Sequence, residues 1–339
     1  MERCSFFFHP VSIPDGKFIK IRTYERGEGV KDSRAMDGTG YTSNEIECGR
    51  KELTELFEKA GLVKYSDSCS RNMIRGISPG SSEIMGIINM TPDSFFAGSR
   101  KSTNEEIMEL IQADPDYLDI GGESTRPGSA LTDPLTEQER LSGHVEFLKD
   151  NFKKKISLDS RNIETVERFI DSIDMVNDIS GLADKGIAEL SAEHGKEYVL
   201  MHIRGTPQDM ESHTKYQNLM GEMSEFFISK LLVLQELNVM PEKIILDPGI
   251  GFAKDFNANL EIVRNPWLFN YGFKRLFGHS RKRFLGNIGG NAVEKRLPET
   301  ISATIFLSKS GVEILRVHDV IENKAALRGF SLFGGFSTR

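Results

Sequence analysis

From residue 84 onward, short apolar runs alternate with longer segments whose apolar positions recur three and four residues apart. The runs are IMGIINM (84–90), YLDIG (117–121), KISLD (155–159), DMVND (174–178), YVLMH (198–202), KIILD (243–247), RLFGH (275–279) and VEILRVH (312–318). Between them lie NEEIMELIQ, TEQERLSGHVEFLKD, NIETVERFIDS, GIAELSAEHG, EMSEFFISKLLVLQELN, NLEIVRN, ETISATIFLSKS and DVIENKAALR. The runs predict strands and the intervals predict helices. Strands that alternate with helices pair in parallel, because a parallel partner needs a crossover connection. Eight such units in roughly 255 residues predict a (β/α)8 TIM barrel. An open doubly wound sheet fits less well: it uses fewer strands, and no glycine-rich dinucleotide fingerprint follows the first run.

The chain before residue 81 differs in character. It carries scattered charges, a glycine-rich middle between Gly27 and Gly40, and one amphipathic helix candidate, KELTELFEKAGL, that stops at Gly61. ISPGSS (77–82) reads as a turn or boundary. Residues 1–80 are therefore expected to be an N-terminal extension of unknown structure and role, a small α+β appendage, and residues 81–339 the barrel.

Composition narrows the function classes. A chain that is 38% hydrophobic and 27% charged has the make-up of a folded, water-exposed protein. A formal net charge of −7 argues against nucleic acid as the main partner, but not against small anions, which a local basic cluster can hold. No run of about 18 apolar residues predicts a membrane helix. The opening MERCSFFFHPVS lacks the apolar core of a signal peptide. Cys4, Cys48 and Cys69 are too scattered for a disulfide framework or a zinc pattern. A cytoplasmic location is expected, with neither a nucleic-acid nor a membrane partner.

The barrel expectation directs attention to one end of each run, since active sites of such barrels sit at the C-terminal ends of the strands. Asn89 ends the first run, Glu123 to Arg126 follow the second, Asp159 ends the third, and Asn177 and Asp178 end the fourth. His202 and Arg204 close the fifth, Asp247 the sixth, Ser280 to Lys282 follow the seventh, and Arg316 and His318 end the eighth. Any one of these is explained as a cap or a loop residue; polar groups at the same end of all eight runs are not. Asp159, Asn177 and Asp247 offer acceptors and an amide, suited to a planar ring with an N–H donor edge. Arg126, Lys282, Arg316 and His318 suit phosphate or carboxylate oxygens. Together they describe an amide-rich heterocycle deep in the barrel with an anionic group nearer the mouth. No triad order is present and no His pair at helical spacing points to zinc. Magnesium held by one Asn or Asp plus substrate phosphates would leave little trace.

MGIINMTPDSF (85–95), DIGGESTRPGS (119–129), SLDS (157–160), VND (176–178), LMHIRGTP (200–207), DPGIGFAK (247–254), GHSRKRFLG (278–286) and RVHD (316–319) together resemble the dihydropteroate synthases, in that family's order across about residues 84–330. The resemblance implies a (β/α)8 fold and a transferase step of folate biosynthesis. In that step 6-hydroxymethyl-7,8-dihydropterin diphosphate and p-aminobenzoate give 7,8-dihydropteroate and pyrophosphate. It also implies assistance by Mg2+, sulfonamide sensitivity, a homodimer, and loss of diphosphate to a pterin carbocation before the arylamine attacks.

By position, the resemblance implies that Asp159, Asn177, Met201, Asp247 and Lys282 hold the pterin. Asp247 would face the 2-amino/N3 edge and Lys282 the N5/O4 side, while Asp159 near N8 would stabilise the developing cation. Asn89, Thr125, Arg126, Arg316 and His318 correspond to the diphosphate side, with Asn89 towards the metal. Pro127, Phe252 and Ser280 correspond to the p-aminobenzoate side, and Asp159, Lys282, Arg126 and Thr125 to the catalytic set. His202 is expected to make a structural hydrogen bond and Arg281 to be a solvated charge at a helix start. The loop after the first strand reads SFFAG where the family usually has Ser-Asp-Gly after the Phe. Arg204, Ser160 and Ala253 replace a frequent glutamine, threonine and glycine, and residues 1–68 lie outside the resemblance. Two further readings are a pterin-dependent methyltransferase and a paralogue that binds pterin without turnover. STRPG and SRK oppose the first, because a methyl donor carries no diphosphate; only the altered loop and the N-terminal region support the second.

Overall fold

A computed structural model describes residues 6–12, 17–26, 41–75, 80–91, 103–125, 128–290 and 292–334. The N-terminal region opens with an antiparallel sheet of β1 (Phe6–Pro10), β2 (Ile19–Arg26) and β3 (Tyr41–Cys48), with β2 in the middle. Two helices follow, α1 (Arg50–Lys59) and α2 (Ser66–Arg75). α1 is the expected KELTELFEKAGL helix, begun by Glu52 accepting the Gly49 N–H at 3.0 Å. The three strands and α2 are additions to the sequence expectation.

The eight expected strands all form, within a few residues of their runs. They are β4 (Glu83–Asn89), β5 (Tyr117–Gly121), β6 (Lys155–Asp159), β7 (Met175–Asp178), β8 (Glu197–Met201), β9 (Ile244–Asp247), β10 (Lys274–Phe277) and β11 (Ile314–Val317). Every neighbouring pair is parallel, and pairing of β11 with β4 and of β9 with β10 closes the barrel. Around it run α3 (Thr103–Gln112), α4 (Pro134–Leu141), α5 (His144–Asn151), α6 (Ile163–Phe169), α7 (Lys185–Glu193), α8 (Leu219–Glu236), α9 (Phe256–Arg264), α10 (Arg283–Gly289), α11 (Leu297–Lys309) and α12 (Val320–Gly334). The single helix expected over 136–150 is two, because Gly143 adopts φ 80°, a turn conformation no helix contains. α10, directly after β10, is also additional.

Period-two alternation decides what the barrel encloses. Met85, Tyr117, Met175, Val199, Ile245, Leu276 and Ile314, one from each of seven strands, make a buried apolar layer. Their strand neighbours, such as Leu118, Val176, Leu200, Leu246 and Leu315, face outward into the core beneath the helices. One step of two residues further along the same strands lie Asp119, Asn177, Met201, Asp247, Gly278 and Arg316. The enclosed column thus changes from apolar plug to polar floor in one layer. At the opposite end Lys155 donates to Glu197 at 2.7 Å and Lys274 approaches Glu83 at 3.6 Å, closing the barrel with ion pairs.

The N-terminal region packs along α8 and against the segments that lead into β9 and β10. Tyr65 donates to the Val239 carbonyl at 2.8 Å and Asn72 to the Gly272 carbonyl at 3.0 Å. Ser224 of α8 bonds both the Phe8 carbonyl, at 2.6 Å, and the Tyr271 hydroxyl, at 2.8 Å. The Phe8 ring meets Phe57 edge-on at 5.0 Å and Tyr271 at 6.1 Å, within the same apolar core that underlies the barrel helices.

Truncating such a ring leaves a cavity in a shared core, so Phe8→Ala is expected to lower stability by about 3–5 kcal/mol. Urea unfolding measures this; an unchanged midpoint would show that the N-terminal sheet is not coupled to the barrel.

Candidate active site

The register places the polar residues around one mouth. Asp159 of β6 pairs with Asn177 of β7, Met201 of β8 with Asp247 of β9, and Arg316 of β11 lies level with Met85 of β4. Lys282, in extended conformation, follows β10 and caps α10. Thr125, Ile179, Ile250, Phe252 and Gly278 join Asp159, Asn177, Met201, Asp247, Lys282 and Arg316 in lining an open cavity at this mouth.

Arg316 ties the floor together. Its Nε donates to Asp119 Oδ2 at 2.6 Å and its Nη2 to Asp159 Oδ2 at 2.8 Å. Asp119, fully buried, also accepts from Asn177 Nδ2 at 3.1 Å. Burial works against the Arg316 charge, but the carboxylates of Asp119 and Asp159 more than offset it and raise its pKa. Burial pushes Asp159 well above the usual carboxylate range, against the pull of Arg316 and with added repulsion from Asp119. Burial likewise pushes Asp247 up to about 6, although the Gly249 N–H donates to it at 2.7 Å and Lys282 stands near. Lys282 is pulled down to about 8 by burial and by Arg316, while Asp247 and Asp159 resist. Its Nζ sits 4.4 Å from the centre of the Phe252 ring, a cation–π contact.

The segment after β9 is shaped by one glycine. Gly249 takes φ 67°, and a Cβ there would stand 2.1 Å from the His202 carbonyl oxygen, so only glycine fits. Lys254 then turns inward and bonds His202 Nδ1 at 2.9 Å, the His202 carbonyl at 3.3 Å and the Phe252 carbonyl at 2.9 Å. Burial brings Lys254 down to about 7 and keeps His202 neutral, its pKa lowered by burial and by Lys254. His202 thus makes the structural bond expected of it.

The remaining sequence candidates divide. Thr125 is in the cavity wall. Arg126, Pro127 and residues 92–100 of the first loop lie outside the described residues. Asn89 is exposed at the end of β4, level with Gly121 and beside the lined cavity. Ser280 and His318 also lie beside it, joined by a 3.0 Å contact between Ser280 Oγ and His318 Nδ1. Arg281 is not a solvated charge: it is half-buried and donates through Nε to Asp319 at 2.9 Å. Asp119, Ile179, Ile250 and Lys254 are site residues that the sequence reading missed. Asp119 left a signal, a charge inside an apolar run and on the inward face it shares with Tyr117.

A family profile described as pterin binding enzyme matches residues 85–318. The dihydropteroate synthase of Synechocystis is 39% identical over 245 residues, which are 70% of this chain and 85% of that protein. The chain belongs to the dihydropteroate synthase family. Among solved structures, a Clostridium difficile dihydropteroate synthase in the presence of pteroic acid is 34% identical with TM-score 0.69, covering 75% of this chain and 98% of that one. A Xanthomonas albilineans dihydropteroate synthase with 4-aminobenzoic acid is 29% identical with TM-score 0.70, covering 76% and 94%.

Within the dihydropteroate synthase family, three departures of this chain fall on described residues, while SFFAG of the first loop lies outside them. Arg204 turns to Glu222, donates to the Lys215 carbonyl at 2.8 Å and stacks on Tyr216 at 3.9 Å. Ser160 keeps the hydroxyl of a threonine and donates it to Glu137 at 3.0 Å. Ala253 adopts φ 49°, a left-handed conformation that strains an alanine more than the usual glycine.

The titrations set a pH dependence. Ionised carboxylates at Asp159 and Asp247 and a protonated Lys282 coexist only in a window. kcat/KM for the pterin substrate is expected to rise on the acid side as the raised carboxylates ionise, then fall near pH 8 as Lys282 deprotonates. Lys282→Arg should move the alkaline limb upward; a limb that stays put would assign it to another group.

Proposed function

We propose that the barrel mouth binds 6-hydroxymethyl-7,8-dihydropterin diphosphate and p-aminobenzoate and joins them with release of pyrophosphate. The observation that carries this reading is the buried acceptor set Asp247, Asp159 and Asn177 lying directly beside the cations Lys282 and Arg316. A pterin presents its 2-amino and N3 hydrogens as a donor edge, which Asp247 matches, and its N5/O4 side as acceptors, which Lys282 matches. Met201 underlies the ring, and Arg316, His318, Thr125 and Arg126 receive the diphosphate.

In the reaction the C–O bond breaks and diphosphate leaves with the electron pair. The resulting cation is conjugated with the pterin ring, and the Asp159 carboxylate near N8 stabilises it as it forms. The arylamine nitrogen then bonds to that carbon and releases a proton. Phe252, Pro127 and Ser280 hold the arylamine on the outer side. Exclusion of water, which competes for the cation, would favour the arylamine.

Asn89 suits magnesium, since it is exposed at the end of β4, its amide supplies an oxygen, and Mg2+ takes few protein oxygens beside phosphate and water. When bound, the ion would offset the charge of the departing diphosphate. The same reading carries a homodimer in the cytoplasm. Exposed apolar side chains on α11 and α12, Phe306, Ile321, Leu332 and Phe333, support the dimer. No helix among the described residues is long and apolar enough to cross a membrane.

Purified protein with Mg2+ and both substrates is expected to release pyrophosphate and form dihydropteroate only when the arylamine is present. Pterin binding without product under those conditions would instead support a binding protein. Asp247→Ala should weaken pterin binding by about a hundredfold, by leaving the donor edge unpaired in a buried site. Arg126→Ala should lower kcat more than pterin affinity; full turnover in that variant would remove Arg126 from the diphosphate site.

A further inference from the structure

Resting on that reading of the pocket, we infer that Asp119 is a positioning residue: it fixes which atoms of Asn177 and Arg316 face the pterin and the diphosphate, without touching either ligand. Asp119 lies one layer below Gly121 on the inward face of β5 and is fully buried. Its Oδ2 accepts from both Asn177 Nδ2 and Arg316 Nε, at 3.1 and 2.6 Å.

An ionised carboxylate accepts hydrogen bonds and cannot donate them. The Asn177 atom turned towards Asp119 must therefore be the nitrogen, and the amide has one orientation rather than two. Asn177 Oδ1 is buried with no hydrogen-bond partner among the described residues, and Asn177 lines the cavity. The unpartnered atom of this cavity-lining residue is therefore an acceptor, in keeping with the neighbouring carboxylates of Asp159 and Asp247. Were the amide reversed, a donor would confront the donor edge of the ligand.

The same carboxylate orients the guanidinium. With Nε directed to Asp119 and Nη2 to Asp159, the plane of Arg316 is set by two bonds, and its Nη1 edge is left for the anion. The register explains why Asp119 can do both: β5 pairs with β6, and across the closed barrel β11 and β7 bring Arg316 and Asn177 to the same layer.

The test uses two partial ligands on the full chain. 6-Hydroxymethylpterin reports the heterocycle pocket and inorganic pyrophosphate reports Arg316. Asp119→Leu is expected to weaken each by about tenfold or more, while Asp119→Asn, whose oxygen still accepts both bonds, should hold pterin affinity within about threefold of wild type. In an Asn177→Ala background Asp119→Leu should have a much smaller effect on pterin affinity, because the amide it orients is gone. A residue that merely packs would weaken binding equally in both backgrounds, and that result overturns the inference. If Asp119→Leu does not fold, the wild-type protein supplies the readout by NMR. The Asn177 side-chain amide protons should exchange slowly with solvent, and free exchange contradicts the assignment. Pterin that binds wild type but ignores Asp119 overturns this inference alone; no pterin binding to wild type overturns it together with the reading of the site.

Discussion

The site depends on one bridge, the Arg316 guanidinium held between Asp119 and Asp159. A closed barrel gives its inward side chains no route to bulk water except through the mouth. Polar groups placed one layer above the apolar plug must therefore satisfy one another or meet a ligand. Two carboxylates against one guanidinium leave excess negative charge, and burial answers by raising Asp159. Removing charges from water costs more than such a pair returns unless further hydrogen bonds complete the network. The orphaned acceptor on Asn177, a residue of the cavity wall, shows a network still incomplete among the described residues. A ligand rich in N–H donors and carrying an anion completes it, which is how preorganisation becomes binding.

Around this bridge the mouth and the outer layer divide the work. At the mouth, the turn at Gly249 lets Lys254 join the end of β8 to the Phe252 carbonyl, and Phe252 carries Lys282 on its ring. Rigid backbone thus sets the positions of the outer ligand wall. On the outer side the N-terminal sheet and α1–α2 brace α8 and the approaches to β9 and β10. Its described residues contribute to the core, and none of them lines the cavity.

Much of this was legible in the chain. Strands buried on both faces appear as unbroken apolar runs, and all eight were identified with the polar residue at the end of each. What escaped is nonlocal or unpatterned. Phe6–Phe7–Phe8 has no alternation, and β2 shows it over only Ile19, Ile21 and Thr23 before Tyr24 is also buried. Arg281 reads as solvated because its partner Asp319 is remote in sequence, and Lys254 draws no notice because nothing local reveals that its amine is buried. Asp119 could have been found: period two from Tyr117 points it inward, where a lone carboxylate requires partners. Those partners, Arg316 and Asn177, come from two other strands, and only the closed register names them.

A crystal structure of the protein with 6-hydroxymethylpterin and pyrophosphate tests the account most directly. The predicted result is a heterocycle whose donor edge meets Asp247 and Asn177 Oδ1, with Arg316 still bridging Asp119 and Asp159 and turned to the anion. A pterin bound outside the barrel mouth, or an Arg316 that leaves Asp119 when the ligands enter, would contradict it.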